Sequence, residues 1–412
     1  MENHLLHSSQ HGFIPSRSCL TNLLEFLEEV TKLVDAGHQV DLMYLDFSRA
    51  FDKVPHQRLM KKVQSLGISG KIFGWIESWL TDRQQRTVLN GQFSDWSPVT
   101  SGVPQGSVLG PCLFIIYIND IDNAVDTVML VKKFADDTKT CGVANNLADC
   151  QALQHQLEQL FKWSEDWQML FNADKCKVIH LGERNLRFDY RLGNNVLIKA
   201  DTEKDLGVHI HKSLTPRTHI AEAVKTANMK LGQLLRTVTY RDRVHFVHLY
   251  KQQVRCHLEY AVQVWCPWLK KDIELLESVQ KRAVRCIHGL QGSYEEKLRQ
   301  LELPTLVDRR KRGDMIETFK IVNGFDNVDP FTWFSFASQD ARPTRGNVEI
   351  VDDGSTREKL TLRSTTPSST SEIRRNFFSQ RVIQPWNELP ETVKRSESIN
   401  AFKNGYDNAD KE

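Results

Sequence analysis

Phe134-Ala135-Asp136-Asp137-Thr138 falls near the tip of residues 128–143, which read as a β-hairpin. Val40-Asp41-Leu42-Met43-Tyr44-Leu45-Asp46-Phe47 is short and largely apolar, the pattern of a strand buried within a sheet. This second stretch ends on a polar residue, Asp46. Paired strands stand only ~4.8 Å apart, so Asp46 can meet the Asp136-Asp137 pair across a sheet. Carboxylates that close repel one another unless positive charge sits among them. Magnesium suits such a cluster, because this hard cation takes carboxylate and phosphate oxygens. Two metals ~3.5–4 Å apart can activate an attacking oxygen and stabilise a leaving one in phosphoryl transfer. On spacing alone a plainer reading competes, since aspartates are common in turns, where they accept backbone hydrogen bonds. Asp52 would lie about 20 Å from Asp46 along a continued strand, and is expected to cap the next segment instead.

The pattern extends outward on both sides. Leu20, Leu23, Leu24, Leu27, Val30 and Val34 recur at helical spacing within residues 18–37, bounded by Ser18 and Gly37. Helices are predicted over 56–66 and 70–81, broken at Gly67. Asn90-Gly91 between Val88-Leu89 and Gln92-Phe93 is a strong hairpin signal. Ser101-Gly102-Val103-Pro104-Gln105-Gly106 reads as a loop opening onto a buried helix at 108–118. Leu147, Leu153, Leu157, Leu160, Phe161 and Trp167 mark a long helix over 147–170, and short strands are predicted at 177–181, 196–199 and 206–210. From 215 the chain reads helical through Leu303, with another helix over 305–323. Residues 337–372 lack periodicity and read as a flexible linker, before final helices at 373–388 and 396–406. The fold class is α+β, without internal repeats.

At 412 residues, 40% hydrophobic and 26% charged, the chain is too apolar for wholesale disorder and long enough for two or three domains. No stretch approaches the ~20 apolar residues of a membrane span, and no signal peptide is visible, so an intracellular protein, nuclear and cytoplasmic, is expected. None of the eight cysteines forms a C-x-x-C pair, and they are expected to be buried small apolar residues. The net charge of +2 conceals a division: residues 209–320 hold 21 Lys and Arg against 12 Asp and Glu, whereas residues 1–208 hold 21 against 26. Carboxylates holding cations in one part and basic side chains tracking a polyanion in the other would account for it.

Three motifs occur in order: Tyr44-Leu45-Asp46-Phe47-Ser48-Arg49-Ala50-Phe51-Asp52-Lys53-Val54-Pro55-His56, Ser101-Gly102-Val103-Pro104-Gln105-Gly106-Ser107-Val108-Leu109-Gly110-Pro111 and Phe134-Ala135-Asp136-Asp137-Thr138. Gln10-His11-Gly12-Phe13 precedes them. Asn172-Ala173-Asp174-Lys175-Cys176 and Asp205-Leu206-Gly207-Val208 follow, and Val264-Trp265 and Trp386-Asn387-Glu388-Leu389-Pro390 lie downstream. Together they resemble the reverse transcriptases of non-LTR (LINE-type, jockey-like) retrotransposons over nearly the whole chain.

The resemblance implies a right-hand RNA-directed DNA polymerase. Residues 1–39 would be partial fingers, 40–208 the palm with the remaining fingers elements, 209–320 a basic helical thumb, and 321–412 a linker and C-terminal helical region. It makes Asp46 and Asp136 the principal ligands of two Mg2+ ions, with Mn2+ possible and Asp137 supporting. The reaction implied is attack of a primer 3′-hydroxyl on the α-phosphate of a dNTP, along an RNA template. Phe51 falls at the aromatic gate against the 2′-hydroxyl, Gln105 and Gly106 at a nucleotide- and template-contacting loop, and Lys175 at the proton donor to pyrophosphate. Leu206 and Gly207 correspond to the primer grip. Thumb residues would contact phosphates of template and DNA primer without reading bases, giving salt-sensitive binding. Trp265 and Trp268 either stack on nucleic acid or fill the core.

Some family features are not matched. The preceding fingers segment, the endonuclease domain and a C-terminal zinc knuckle have no counterpart in the sequence, so an N-terminally truncated chain is expected. Lys132-Lys133 stands where a buried strand wants an apolar residue, and a buried lysine needs a partner. Two readings follow: an active polymerase, or a catalytically inactive nucleic-acid-binding remnant of a mobile element.

Overall fold

Val40, Leu42, Met43 and Leu45 are all buried in the strand Val40–Leu45, the middle member of a five-stranded sheet. Covered on both faces, it needs no polar alternation, which is why the run is largely apolar, its one charge, Asp41, being buried against Asn185, Tyr190 and His180. Across the sheet the strands are Ile198–Lys199, Lys177–Leu181, Val40–Leu45, Asp137–Val143 and Leu130–Phe134. All neighbours are antiparallel except Ile198–Lys199, which runs parallel to Lys177–Leu181. The register Leu45↔Thr138 ends the central pairing one residue short of Asp46, at the level of the hairpin turn.

The computed structural model describes residues 5–336, 348–350, 356–358, 360–365 and 371–409. The chain divides into two compact units, residues 1–22 with 37–201 and residues 23–36 with 202–412.

In the first unit, Leu59, Val63, Ile76 and Leu80 from helices His56–Ser65 and Gly70–Leu80 join the core beside Leu113 and Phe114 of Leu109–Tyr117. The long helix is Leu147–Asp166, capped by Asn146 accepting from the Asp149 N–H. It stops earlier than its apolar stripe suggests, because Gln168 adopts φ +55 and Trp167 takes the C-cap position. The Asn90-Gly91 turn has positive φ at both residues, the type I′ geometry that pair favours. Lys133 is fully buried, and its ammonium is paired with Asp122 and near the Ile118 carbonyl at 3.3 Å. That partner explains a lysine where an apolar residue was expected.

In the second unit, Leu24, Leu27 and Val30 of the helix Cys19–Asp35 are buried as their spacing predicts. Helices Arg217–Thr237, Lys270–Arg285 and Leu306–Val322 form its helical framework, and Arg243–Tyr250 continues through a π-helical turn at Lys251–Arg255. Part of residues 337–372 lies outside the described residues. The described portion contradicts a plain linker, since Phe334–Phe336 pairs with Leu362–Ser364 and 348–350 with 356–358. Leu362 is buried, and its backbone is clamped by the Asn387 carboxamide at 2.9 Å on both sides. Among the described residues no helix is long and apolar enough to cross a membrane. Cys141, Cys150 and Cys176 are buried as expected, but Cys112 and Cys256 are exposed.

Candidate active site

Beyond Leu45 the chain leaves the sheet and is laced to residues 170–176. The Ser48 N–H donates to the Leu170 carbonyl at 2.9 Å, and the Asn172 N–H to the Asp46 carbonyl at 2.7 Å. Phe47 stacks on Phe171 with ring centroids 4.4 Å apart. A turn closed by the Lys175 N–H on the Asn172 carbonyl then brings the Lys175 ammonium to 3.0 Å from Asp46 Oδ2. That oxygen is cut off from solvent and receives no aligned hydrogen bond. The Cys176 thiol lies against the Asp46 backbone, accepting from its N–H at 3.5 Å, and burial pushes its pKa up to about 11, so it stays neutral there.

The hairpin delivers the second carboxylate. Phe134 and Asp137 are its last paired residues, leaving only Ala135 and Asp136 in the turn. The Asp136 pKa is raised, first by burial and then by the negative charge of Asp46, with Lys175 opposing. Asp46, Asp136 and Lys175 therefore form one electrostatic group, Lys175 being two-thirds exposed. Asp137 is exposed at the start of its strand. Among the described residues no three His, Cys, Asp or Glu side chains form a ready-made metal cage. Magnesium does not require one, since it keeps several waters and binds through one or two carboxylates plus substrate phosphates. The donor set therefore fits: two hard carboxylates, an Asp46 oxygen lacking a hydrogen bond, and an ammonium supplying the charge a cation would.

Phe51 sits in the 3₁₀ turn Ala50–Asp52, stacked on Phe114 at 4.3 Å and edge-on to Phe13 at 6.3 Å. The loop 101–107 is tied to this turn. The Gly102 and Val103 N–H groups donate to the carbonyls of Val54 and Phe51, both at 2.8 Å, and Gln105 Nε2 donates to Asp52 Oδ1 at 3.1 Å. Asp52 is thus no helix cap, since helix His56–Ser65 has no side-chain cap. Its carboxylate anchors Gln105, which the turn after the strand made possible. Within this loop the backbone comes closest at Gly102, where a Cβ would lie 2.7 Å from the Asp52 carbonyl, whereas one at Gly106 would meet nothing within 4 Å.

Leu206 and Gly207 lie in the second unit. They form the two-residue turn between Thr202–Asp205 and Val208–His211, both with positive φ, so Leu206 is not part of a strand. Tyr260 donates its hydroxyl to the Leu206 carbonyl at 2.8 Å and packs so closely that a Cβ at Gly207 would be 3.0 Å from its ring. Trp265 is buried, with its indole N–H on the Tyr260 carbonyl at 2.8 Å, which makes it a core residue.

Residues 1–210 match the family described as "Reverse transcriptase (RNA-dependent DNA polymerase)". The chain belongs to the reverse transcriptase family. It is 27% identical over 279 residues to the RNA-directed DNA polymerase from mobile element jockey of Drosophila melanogaster, covering 65% of this chain and 30% of that protein. To its counterpart from Drosophila funebris it is 29% identical over 293 residues, 68% of this chain and 31% of that one. These are the jockey-like relatives that the motifs implied. The chain spans about a third of the length of these curated relatives. A solved structure of apo telomerase from Candida tropicalis matches with a TM-score of 0.41 and 12% identity, over 68% of this chain and 46% of that one.

Proposed function

We propose that the chain is the RNA-directed DNA polymerase portion of a non-LTR retrotransposon, adding deoxynucleotides to a primer 3′-hydroxyl along an RNA template. The observation that carries this reading is the electrostatic pairing of Asp46 with Asp136 at the end of the central sheet, inside a chain of the reverse transcriptase family. Asp46 and Asp136 would hold Mg2+, or Mn2+ in its place, with Asp137 in support. Bound there, a pair of such ions supplies the Lewis acidity that activates a 3′-hydroxyl and neutralises charge on the phosphates.

The chain's own residues do the rest. The Lys175 side chain, exposed beside Asp46, would stand within reach of pyrophosphate and serve as its proton donor. Phe51, wedged between Phe13 and Phe114, offers a rigid ring against a 2′-hydroxyl. Gln105, steadied by Asp52, and Gly106, with open space around it, would line the nucleotide and template side. The hairpin turn Leu206-Gly207 would act as primer grip through its backbone, and the basic helices over 209–320 as the thumb. The template, primer and dNTPs are the partners this assignment requires.

Primer extension on an RNA template with Mg2+ and dNTPs tests it. Extension is expected, and Asp136→Ala abolishes it. A folded wild-type chain that extends nothing would instead favour an inactive nucleic-acid-binding remnant.

A further inference from the structure

The segment Gln10-His11-Gly12-Phe13 lies against the hairpin that carries Asp136. The His11 N–H donates to the Lys133 carbonyl and the Lys133 N–H to the Ser9 carbonyl, both at 2.9 Å. Asn22 Nδ2 also donates to the Lys133 carbonyl at 2.9 Å. From this rail the Gln10 side chain, 2% exposed, reaches the turn itself. Its Oε1 accepts from the Ala135 N–H at 2.9 Å and from the Gly12 N–H at 2.8 Å, while Nε2 donates to the Ala135 carbonyl at 3.3 Å. The carboxamide therefore satisfies both backbone groups of Ala135, as a neighbouring strand would.

Ala135 needs such a hold. Its φ is +54, a left-handed conformation in which a Cβ crowds the backbone, and such residues persist only where their surroundings over-determine them. Gly12 makes the contact possible, since a Cβ there would stand 2.3 Å from the Ala135 nitrogen. Asp136 is the very next residue. An amide also suits this place better than a carboxylate, which would add a third negative charge near Asp46 and Asp136 and offer no donor to the Ala135 carbonyl.

We infer that Gln10 is a positioning residue, whose carboxamide fixes the Ala135-Asp136 turn and thereby sets where the Asp136 carboxylate stands for a divalent cation. This rests on the polymerase reading above. Partners that orient metal ligands typically cost ~10–100-fold in affinity or activity when removed, and small misplacements at a reacting centre are similarly expensive.

The test uses Gln10→Met, which keeps the side-chain volume but none of the hydrogen bonds, and the pair Gln10→Met/Ala135→Gly. Glycine removes the left-handed penalty, so the double variant recovers melting temperature while leaving the turn unheld. Mn2+ binding to the chain alone, read by electron paramagnetic resonance, is expected to weaken about 10-fold in both variants, with Asp136→Ala as the baseline. Primer extension should lose roughly 10–100-fold in kcat in both, with the KM for dNTP little changed. Wild-type Mn2+ affinity in Gln10→Met, or kcat restored together with stability in the double variant, overturns the inference. Wild-type binding sensitive to Asp136→Ala but not to Gln10→Met defeats only the positioning role. Mn2+ binding and extension both absent from the wild type defeat the polymerase reading beneath it.

Discussion

Inside the second unit, several buried or half-buried charges are matched at close range. Glu28 and Arg374, neither exposed, are joined at 2.6 and 2.9 Å, with Ser379 adding a hydrogen bond to Glu28 at 2.7 Å. Arg381 holds Asp314 through two bonds of 2.9 Å, and Arg309 holds Glu259 at 2.8 and 2.9 Å. At the end of the first unit's sheet the arrangement is reversed. Burial and the charge of Asp46 raise the Asp136 pKa, an Asp46 oxygen is shielded from water without an aligned hydrogen bond, and Lys175, the counter-charge beside them, is largely exposed. Elsewhere in that unit the matching rule holds, as Lys133 with Asp122 and Lys62 with Asp120 at 2.6 Å show. Matched pairs hold a fold together, whereas two carboxylates at a sheet's end, with a largely exposed lysine beside them, are what the proposed cation site would use.

Removing a member of each kind separates the two. Asp136→Ala should cut primer extension by ~10³-fold or more, a barrier rise of about 4 kcal/mol, while the unfolding midpoint does not fall. Arg374→Met should do the opposite to the fold. It takes both guanidinium bonds from the buried Glu28 carboxylate, which keeps Lys32 at 3.2 Å and Ser379 at 2.7 Å, and costs ~3 kcal/mol in urea unfolding, much of which Glu28→Gln in the same chain should recover. A small loss in Arg374→Met alone would erase the contrast. Phe51→Ala sharpens it from the substrate side. Opening the space beside Phe114 should raise ribonucleotide incorporation by roughly 10–100-fold, the scale on which pocket shape discriminates, as measured by single-nucleotide kinetics with each sugar.

Elements of the fold and of the site were legible where periodicity or turn chemistry writes them. The apolar run ending in Asp46, the Lys177–Leu181 strand, the Asn90-Gly91 turn and the hairpin bearing Asp136 could all be read from local pattern. The order of motifs gave the family, which the match over residues 1–210 bears out. What escaped are pairings between a side chain and a distant backbone. Gln10 meets Ala135 across 125 residues, and Asp52 meets Gln105 across 53, with no periodic signal at either end. Gly102 and Gly106 look alike in sequence because only the folded chain shows which one faces a carbonyl. Residues 337–372 read as a linker because their strands are three residues long, too short for alternation to register.

Burial and the charge of Asp46 raise the Asp136 pKa, so ionising it works against the fold. The stability its protonated form contributes is complete below about pH 4 and is lost as pH rises through the folded pKa. Asp136→Asn should therefore melt above wild type at pH 7 without divalent cations, and level with it near pH 4. Adding Mg2+ at pH 7 to both proteins is the most direct test of whether Asp46 and Asp136 share a cation. The wild-type melting temperature should rise while that of Asp136→Asn stays still. Equal rises, or no advantage for Asp136→Asn in the absence of metal, would contradict a shared cation site.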